Sequence, residues 1–292
     1  MPDIRILRLR AAGMFSNVNE VVEQVRLAKL HGYQFVIDWS DSCYNEMNED
    51  GDPWGYYFEP CYSGLPELAE LGGGEKQYLK GGEAVACSAD NIITPRVKDG
   101  QCSPLLLPRD RVAANRLIES AIFPKLNITE QVDQFRKRHF PEQVIGVHIR
   151  GPGRTDGGVP ELRAKFRLEY GVPIDLYSDR ISEALKRMPK AKLFICSDSA
   201  KVIAKMQERF NEKVVCFDAL RSEFGEMHAG HRQNRGLVFP PRTLGQDVVI
   251  EAYLLARTDF FVHGNSNVAN FVLCRAPALT NDYVYGPVDP AS

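Results

Sequence analysis

A two-lobe α/β architecture is predicted for this 292-residue chain on three observations. Near the amino terminus an apolar run, Ile4 to Leu9, is followed by helical periodicity from Val18 to Leu30. A second apolar run, Tyr33 to Trp39, completes a βαβ unit. From Val144 to Cys274 strand-like and helical segments then alternate again. Between the two stretches, residues 40–108 lose periodicity altogether. The length suits one large α/β domain or two of about 150 residues each, and the second arrangement fits the pattern. Two Rossmann-like lobes in tandem point to a nucleotide-handling enzyme.

Each element has a local justification. Val18, Val21, Val22, Val25 and Ala28 form one apolar face, and His31-Gly32 ends that helix. The stretch Ala11 to Asn17 reads as the loop before it. In the irregular region the acidic run Asn45 to Pro53 contains Asp50-Gly51-Asp52 but lacks the calcium-loop spacing and its terminal Glu, so a solvated turn is expected. Trp54, Tyr56, Tyr57 and Phe58 either line a sugar platform or pack a loop-rich lobe. Helices follow at Arg109–Ile122 and Asn127–Phe140. A boundary near Phe123-Pro124-Lys125 or just before Pro141 divides the chain into lobes 1–140 and 141–292. The second lobe reads as strand 144–149, helix Leu176–Arg187, strand Ala191–Cys196, helix Ala200–Phe210 and strand Lys213–Phe217. Helix Gln246–Ala256, strand Phe260–His263 and helix Ser266–Cys274 complete it.

Composition excludes several classes. The chain is 44% hydrophobic and 25% charged, with a net charge of −2, so no global basic field draws it to nucleic acid. No apolar stretch is long enough to span a bilayer, which leaves at most a peripheral membrane contact. Seven cysteines (43, 61, 87, 102, 196, 216, 274) form no C-x-x-C pair. That argues against a disulfide framework or a zinc site, and for a reducing cytoplasm. Cys196, Cys216 and Cys274 lie in apolar runs and are expected to be small core residues.

Three stretches carry chemistry. Val144 to Ile149 reads as a buried strand that breaks into a loop with glycines at 151, 153, 157 and 158. Around that break sit His148, Arg150, Arg154 and Asp156. Glycines allow close backbone approach and arginines clamp phosphate oxygens, so the stretch reads as an anion site, with a tight surface turn as the alternative. In Leu193 to Ser199 a strand ends in Ser197-Asp198-Ser199, residues that cap a helix and open its N-terminus to an anion. In Thr243 to Asn267, Glu251 falls within a mostly buried helix. A carboxylate there needs a partner, either the two N–H donors of a guanine edge or a basic side chain, unless it turns to solvent. The Gly264 to Asn267 turn is a further polar cap. His228 and His231 share a glycine-containing loop but show no third metal ligand.

These blocks, in this order, resemble the three motifs shared by the α1,6-fucosyltransferases and the rhizobial nodulation fucosyltransferases, and more distantly the α1,2- and protein O-fucosyltransferases. The opening Gly13 to Asn17 and Asp38-Trp39 resemble that superfamily's amino-terminal lobe. The resemblance implies a GT-B-like fold, two lobes facing a central cleft. It also implies a metal-independent inverting glycosyltransferase taking a GDP-sugar, most often GDP-fucose, and a glycan or glycoconjugate acceptor. Carried over by position, Arg150 holds the pyrophosphate, His148 and Glu251 recognise the guanine, and Asp198 belongs to the donor site. Ser266 falls where a hydroxyl meets phosphate, although the loop is one residue shorter here. Gly151-Pro152-Gly153 separates Arg154 from the start of its motif, a gapped form closer to the nodulation enzymes. Glu161 falls where the base is proposed, with Asp156 as its substitute. A non-catalytic guanine-nucleotide-binding protein and a phosphate-ester hydrolase are the rival readings.

Overall fold

A computed structural model describes residues 3–10, 12–40, 42–46, 52–65, 78–80, 96–98, 101–103, 108–140, 142–150, 174–223, 227 and 239–285. Among the described residues the strands in chain order are β1 (Asp3–Arg8), β2 (Tyr33–Asp38), β3 (Tyr78–Lys80), β4 (Arg96–Lys98), β5 (Gln101–Ser103), β6 (Val144–His148), β7 (Lys192–Cys196), β8 (Val214–Val215), β9 (Phe260–His263) and β10 (Thr280–Tyr283). The helices are α1 (Met14–His31), α2 (Trp54–Tyr57), α3 (Pro108–Ala121), α4 (Leu126–His139), α5 (Ile174–Arg187), α6 (Ala200–Phe210), α7 (Pro241–Leu255) and α8 (Asn267–Arg275). Two parallel sheets result. The first has the order β2-β1-β3 and the second β10-β9-β6-β7-β8, while β4 and β5 form a short antiparallel pair.

The first helix begins earlier than its periodicity suggested, at Met14. Asn17 makes this possible: its amide accepts from the Arg10 N–H and donates to the Arg10 and Ala12 carbonyls, tying the strand-to-helix loop into one turn. The helix ends at Gly32, whose φ of 75° is the left-handed conformation that glycine adopts without a Cβ penalty. Strands β3, β4 and β5 lie in the region without periodicity, and β10 was not anticipated either.

Of the acidic run expected to be a solvated turn, residues 47–51 lie outside the described residues, and Asp52 is half-buried rather than fully solvated. Its carboxylate accepts from the Trp54 N–H at 3.1 Å, and burial pushes its pKa up to about 7. Trp54, two residues on, packs against Phe58 with ring centroids 4.6 Å apart, and the Asp52 carboxylate caps the turn that leads to it. Trp54, Tyr57 and Phe58 are buried, so this aromatic group packs the lobe.

Strand period divides the core in two. Ile145, Val147, Leu193, Ile195, Phe260 and Val262 point to one face of the second sheet, under Tyr177 and Ile181 of α5 and Met206 of α6. Phe194, Cys196 and Phe261 point to the other, where α7 and α8 merge with the amino-terminal hydrophobic cluster through Phe15, Trp39, Tyr57 and Ile118. The Phe15 and Phe271 rings meet at 4.6 Å across α1 and α8. Two glycines set close approaches. A Cβ on Gly146 would lie 2.7 Å from Thr258 Oγ1, and one on Gly245 only 2.3 Å from the Tyr57 ring.

Candidate functional site

Strand order locates the site before any side chain is considered. From β6 the chain steps outward to β7 and β8, then returns across β6 to place β9 and β10 on the other side. The order therefore reverses at β6, and ligands of open parallel sheets bind in the crevice beyond the carboxyl ends of the strands at such a point. His148, Cys196 and His263 are register partners there, at the carboxyl ends of β6, β7 and β9. The helices that follow β7 and β9 also begin at this edge.

Both helices are capped by serine. Ser199 accepts from the Val202 N–H at 3.3 Å and Ser266 from the Ala269 N–H at 3.0 Å. The cap of α6 is therefore Ser199, and Ser197, two residues earlier, accepts from the Ser199 N–H at 3.2 Å. Asp198 presents its carbonyl to the Ser222 N–H at 2.8 Å, and its charge acts on Glu251. Both helix N-termini bring their positive dipole ends to this edge, although in α6 the Ala200 N–H is already held by the Ser222 carbonyl at 3.0 Å and the Val202 N–H by Ser199.

Ser266 has a second contact. Its hydroxyl lies 3.2 Å from His148 Nδ1. Burial holds the His148 pKa down to about 3, and electrostatic interaction with Arg150 and His263 reinforces that. His148 is thus a neutral imidazole at ordinary pH. His263, pushed down to about 4 by burial, has its Nδ1 2.9 Å from the Gly264 carbonyl, which accepts from it. Arg150 is half-buried, and its charge is felt at both His148 and Tyr44, a residue of the amino-terminal half. Tyr44 in turn accepts from the Met14 N–H at 2.9 Å through its hydroxyl. Asn19 of α1 donates to the Asn267 carbonyl at 3.2 Å, fastening the start of α8 to the first lobe.

Glu251 has the basic partner that sequence left as one of its alternatives. Arg221 donates to its carboxylate at 2.5 Å, to the Ser197 carbonyl at 2.5 Å and to the Phe217 carbonyl at 3.2 Å. Burial pushes the Glu251 carboxyl upward while the arginine opposes it. Burial also opposes the arginine's charge, but the Glu251 carboxylate holds Arg221 above its ordinary value. One turn earlier on α7, Asp247 accepts from the Leu220 N–H at 2.8 Å, with burial pushing it up to about 6. These two carboxylates brace the loop after β8 against the carboxyl end of β7. Arg221 and Asp247 were missed in the sequence; the one available signal was the demand of Glu251 for a partner.

His148, Arg150, Asp198, Glu251 and Ser266 therefore gather at one edge of the second sheet. Arg154, Asp156 and Glu161 lie outside the described residues, as do His228 and His231. No group of three or more His, Cys, Asp or Glu side chains able to hold a metal occurs among the described residues.

A parallel sheet with this switch point, joined to a second Rossmann-like sheet, defines the GT-B class of nucleotide-sugar folds. The chain belongs to the nodulation protein Z (NodZ) family, whose model matches residues 99–284. Among solved structures it is similar to a NodZ α-1,6-fucosyltransferase co-crystallised with GDP, with 18% identity, 96% of this chain and 93% of that chain covered, and a TM-score of 0.53. The fucosyltransferase NodZ from Bradyrhizobium gives 17%, 96%, 94% and 0.54 on the same measures. A mutant of Arabidopsis thaliana FUT1 in complex with GDP gives 10%, 94%, 69% and 0.52. Among curated proteins, a sequence comparison finds no match.

Proposed function

We propose that this protein is an inverting fucosyltransferase that moves L-fucose from GDP-fucose to a hydroxyl group of a glycan acceptor. The observation that carries the reading is the reversal of strand order at β6, where His148, Arg150 and two serine-capped helix N-termini converge. Membership of the NodZ family supports it, as do the GDP and GDP-fucose named for NodZ structures of the same fold.

In the reaction the acceptor oxygen forms a bond to the anomeric carbon of the sugar as the bond from that carbon to the β-phosphate oxygen breaks. The acceptor proton passes to a carboxylate, and the bonding pair leaves with GDP. The transition state is oxocarbenium-like, so charge develops on the departing diphosphate. Arg150 and the starts of α6 and α8 meet that charge without a metal ion, with Arg154 as a second arginine. His148 faces the guanine, Glu251 stands at the same edge with its carboxylate held by Arg221, Asp198 lines the donor site, and Ser266 acts at the phosphate end or through His148. Glu161 takes the proton, with Asp156 as its substitute. Residues 1–140 form the acceptor side and residues 141–292 the donor side, with acceptor choice resting in 40–108.

No described helix is long and apolar enough to cross a membrane. A cytoplasmic location is supported by the five free cysteines among the described residues.

Incubation with GDP-fucose tests the proposal. GDP release by transfer or slow hydrolysis is the expected result. GDP binding without turnover would favour a non-catalytic nucleotide-binding protein, and failure to bind any guanine nucleotide would end the reading.

A further inference from the structure

Among the described residues the hydroxyl of Ser266 has two hydrogen-bond neighbours, and together they determine where its proton lies. It accepts from the Ala269 N–H at 3.0 Å, so one lone pair belongs to the helix cap. Its second contact is His148 Nδ1 at 3.2 Å. Ser266 is only 4% exposed. Were Nδ1 to donate, the serine O–H would have no acceptor among the described residues in a buried place, and an unmet donor there costs about 1–3 kcal/mol. Donation from the serine to Nδ1 satisfies both groups. A neutral imidazole carries one proton, so accepting at Nδ1 puts that proton on Nε2.

We propose that Ser266 is a positioning residue that locks His148 in its Nε2–H tautomer, so that the site presents a fixed hydrogen-bond donor to an acceptor on the guanine edge. The inference rests on the donor-nucleotide reading above and adds a residue that selects among nucleotides. Guanine offers O6 and N7 as neighbouring acceptors, whereas adenine has an amino donor in place of O6. A locked donor is matched by the first and opposed by the second. A mobile tautomer would discriminate less, because the ring could turn its acceptor form toward adenine.

The geometry assigns one hydroxyl two tasks, and two variants separate them. Ser266→Gly keeps most of the helix-capping tendency but has no hydroxyl, and Ser266→Thr keeps both. Nitrogen-15 NMR of the ligand-free protein reads the His148 tautomer directly. The wild type and Ser266→Thr should show Nε2–H, and Ser266→Gly a mixture. GDP affinity should fall roughly tenfold or more in Ser266→Gly, with a smaller fall for ADP, and return in Ser266→Thr. A wild-type His148 protonated at Nδ1 would overturn the proposal. So would a Ser266→Gly protein that keeps both GDP affinity and its preference over ADP. A wild type that shows Nε2–H yet binds no GDP would instead overturn the donor reading and leave the tautomer lock standing.

Discussion

Gly245 is the smallest residue on α7 and the one on which the Tyr57 ring rests. Alanine there has two opposed effects. Replacing a helical glycine gains about 1 kcal/mol of propensity. The new Cβ, however, would lie 2.3 Å from the Tyr57 ring, whose hydroxyl is held by the Pro241 carbonyl at 3.2 Å. Overpacking of this kind costs about 1–3 kcal/mol, so Gly245→Ala should lower the denaturation midpoint. A midpoint unchanged or raised would show that Tyr57 can yield.

His148, His263 and Asp52 give opposite pH dependences. His148 and His263 have pKa values pushed below the ordinary value, to about 3 and about 4, and they must take up protons on unfolding. Their contribution is fully present above pH 6.5 and is lost as pH falls toward 4, on the order of 3 kcal/mol for His263. Asp52 runs the other way. With its pKa raised to about 7, its contribution is present below the unfolded carboxylate value and lost as pH rises through 7. Asp52→Asn should therefore be more stable than the wild type at pH 8 and no more stable at pH 3. Thermal unfolding across that range checks both signs; equal destabilisation of Asp52→Asn at every pH would refute the second.

At the level of elements, α7 and the loop after β8 act together through Arg221 and Glu251. Their side chains are only 13% and 10% exposed. Removing one partner leaves the other charge buried, and such losses run to about 3–5 kcal/mol. Arg221→Leu should destabilise the protein by that order, and the double variant Arg221→Leu/Glu251→Leu should recover most of it. Urea denaturation of the single and double variants measures this coupling. A single variant within about 0.5 kcal/mol of the wild type would mean that the pair is dispensable.

The same elements explain what could be read from sequence. The strands β6, β7 and β9 are buried on both faces, so they appear as continuous apolar runs and were legible. His148, Asp198 and Ser266 stand out as polar residues at or just beyond the ends of such runs, and Glu251 as a carboxylate inside a buried helix, while their roles remain part of the proposal. Arg221 was not legible, since β8 spans only two residues and its partner lies 30 positions onward. The three-residue strands β3, β4 and β5 are too short to establish a period of two. Met14 to Asn17 read as a loop in the sequence because the Asn17 clamp that makes them helical is a local turn without a periodic signature.

At the scale of the whole molecule, the two sheets are coupled by shared helices. Helices α7 and α8 cover the second sheet while their other sides join α1 and α3 in the larger core. A nucleotide held at the edge of the second sheet should therefore stabilise both lobes together. A ligand that binds only the folded state adds about 2.7 kcal/mol at a hundredfold excess over its Kd. The most direct measurement is a thermal-shift series with GDP, GDP-fucose, ADP and UDP. The proposed function predicts one cooperative transition that moves upward with GDP and GDP-fucose and much less with ADP or UDP. No shift with either guanine nucleotide, or an equal shift with all four compounds, would contradict it.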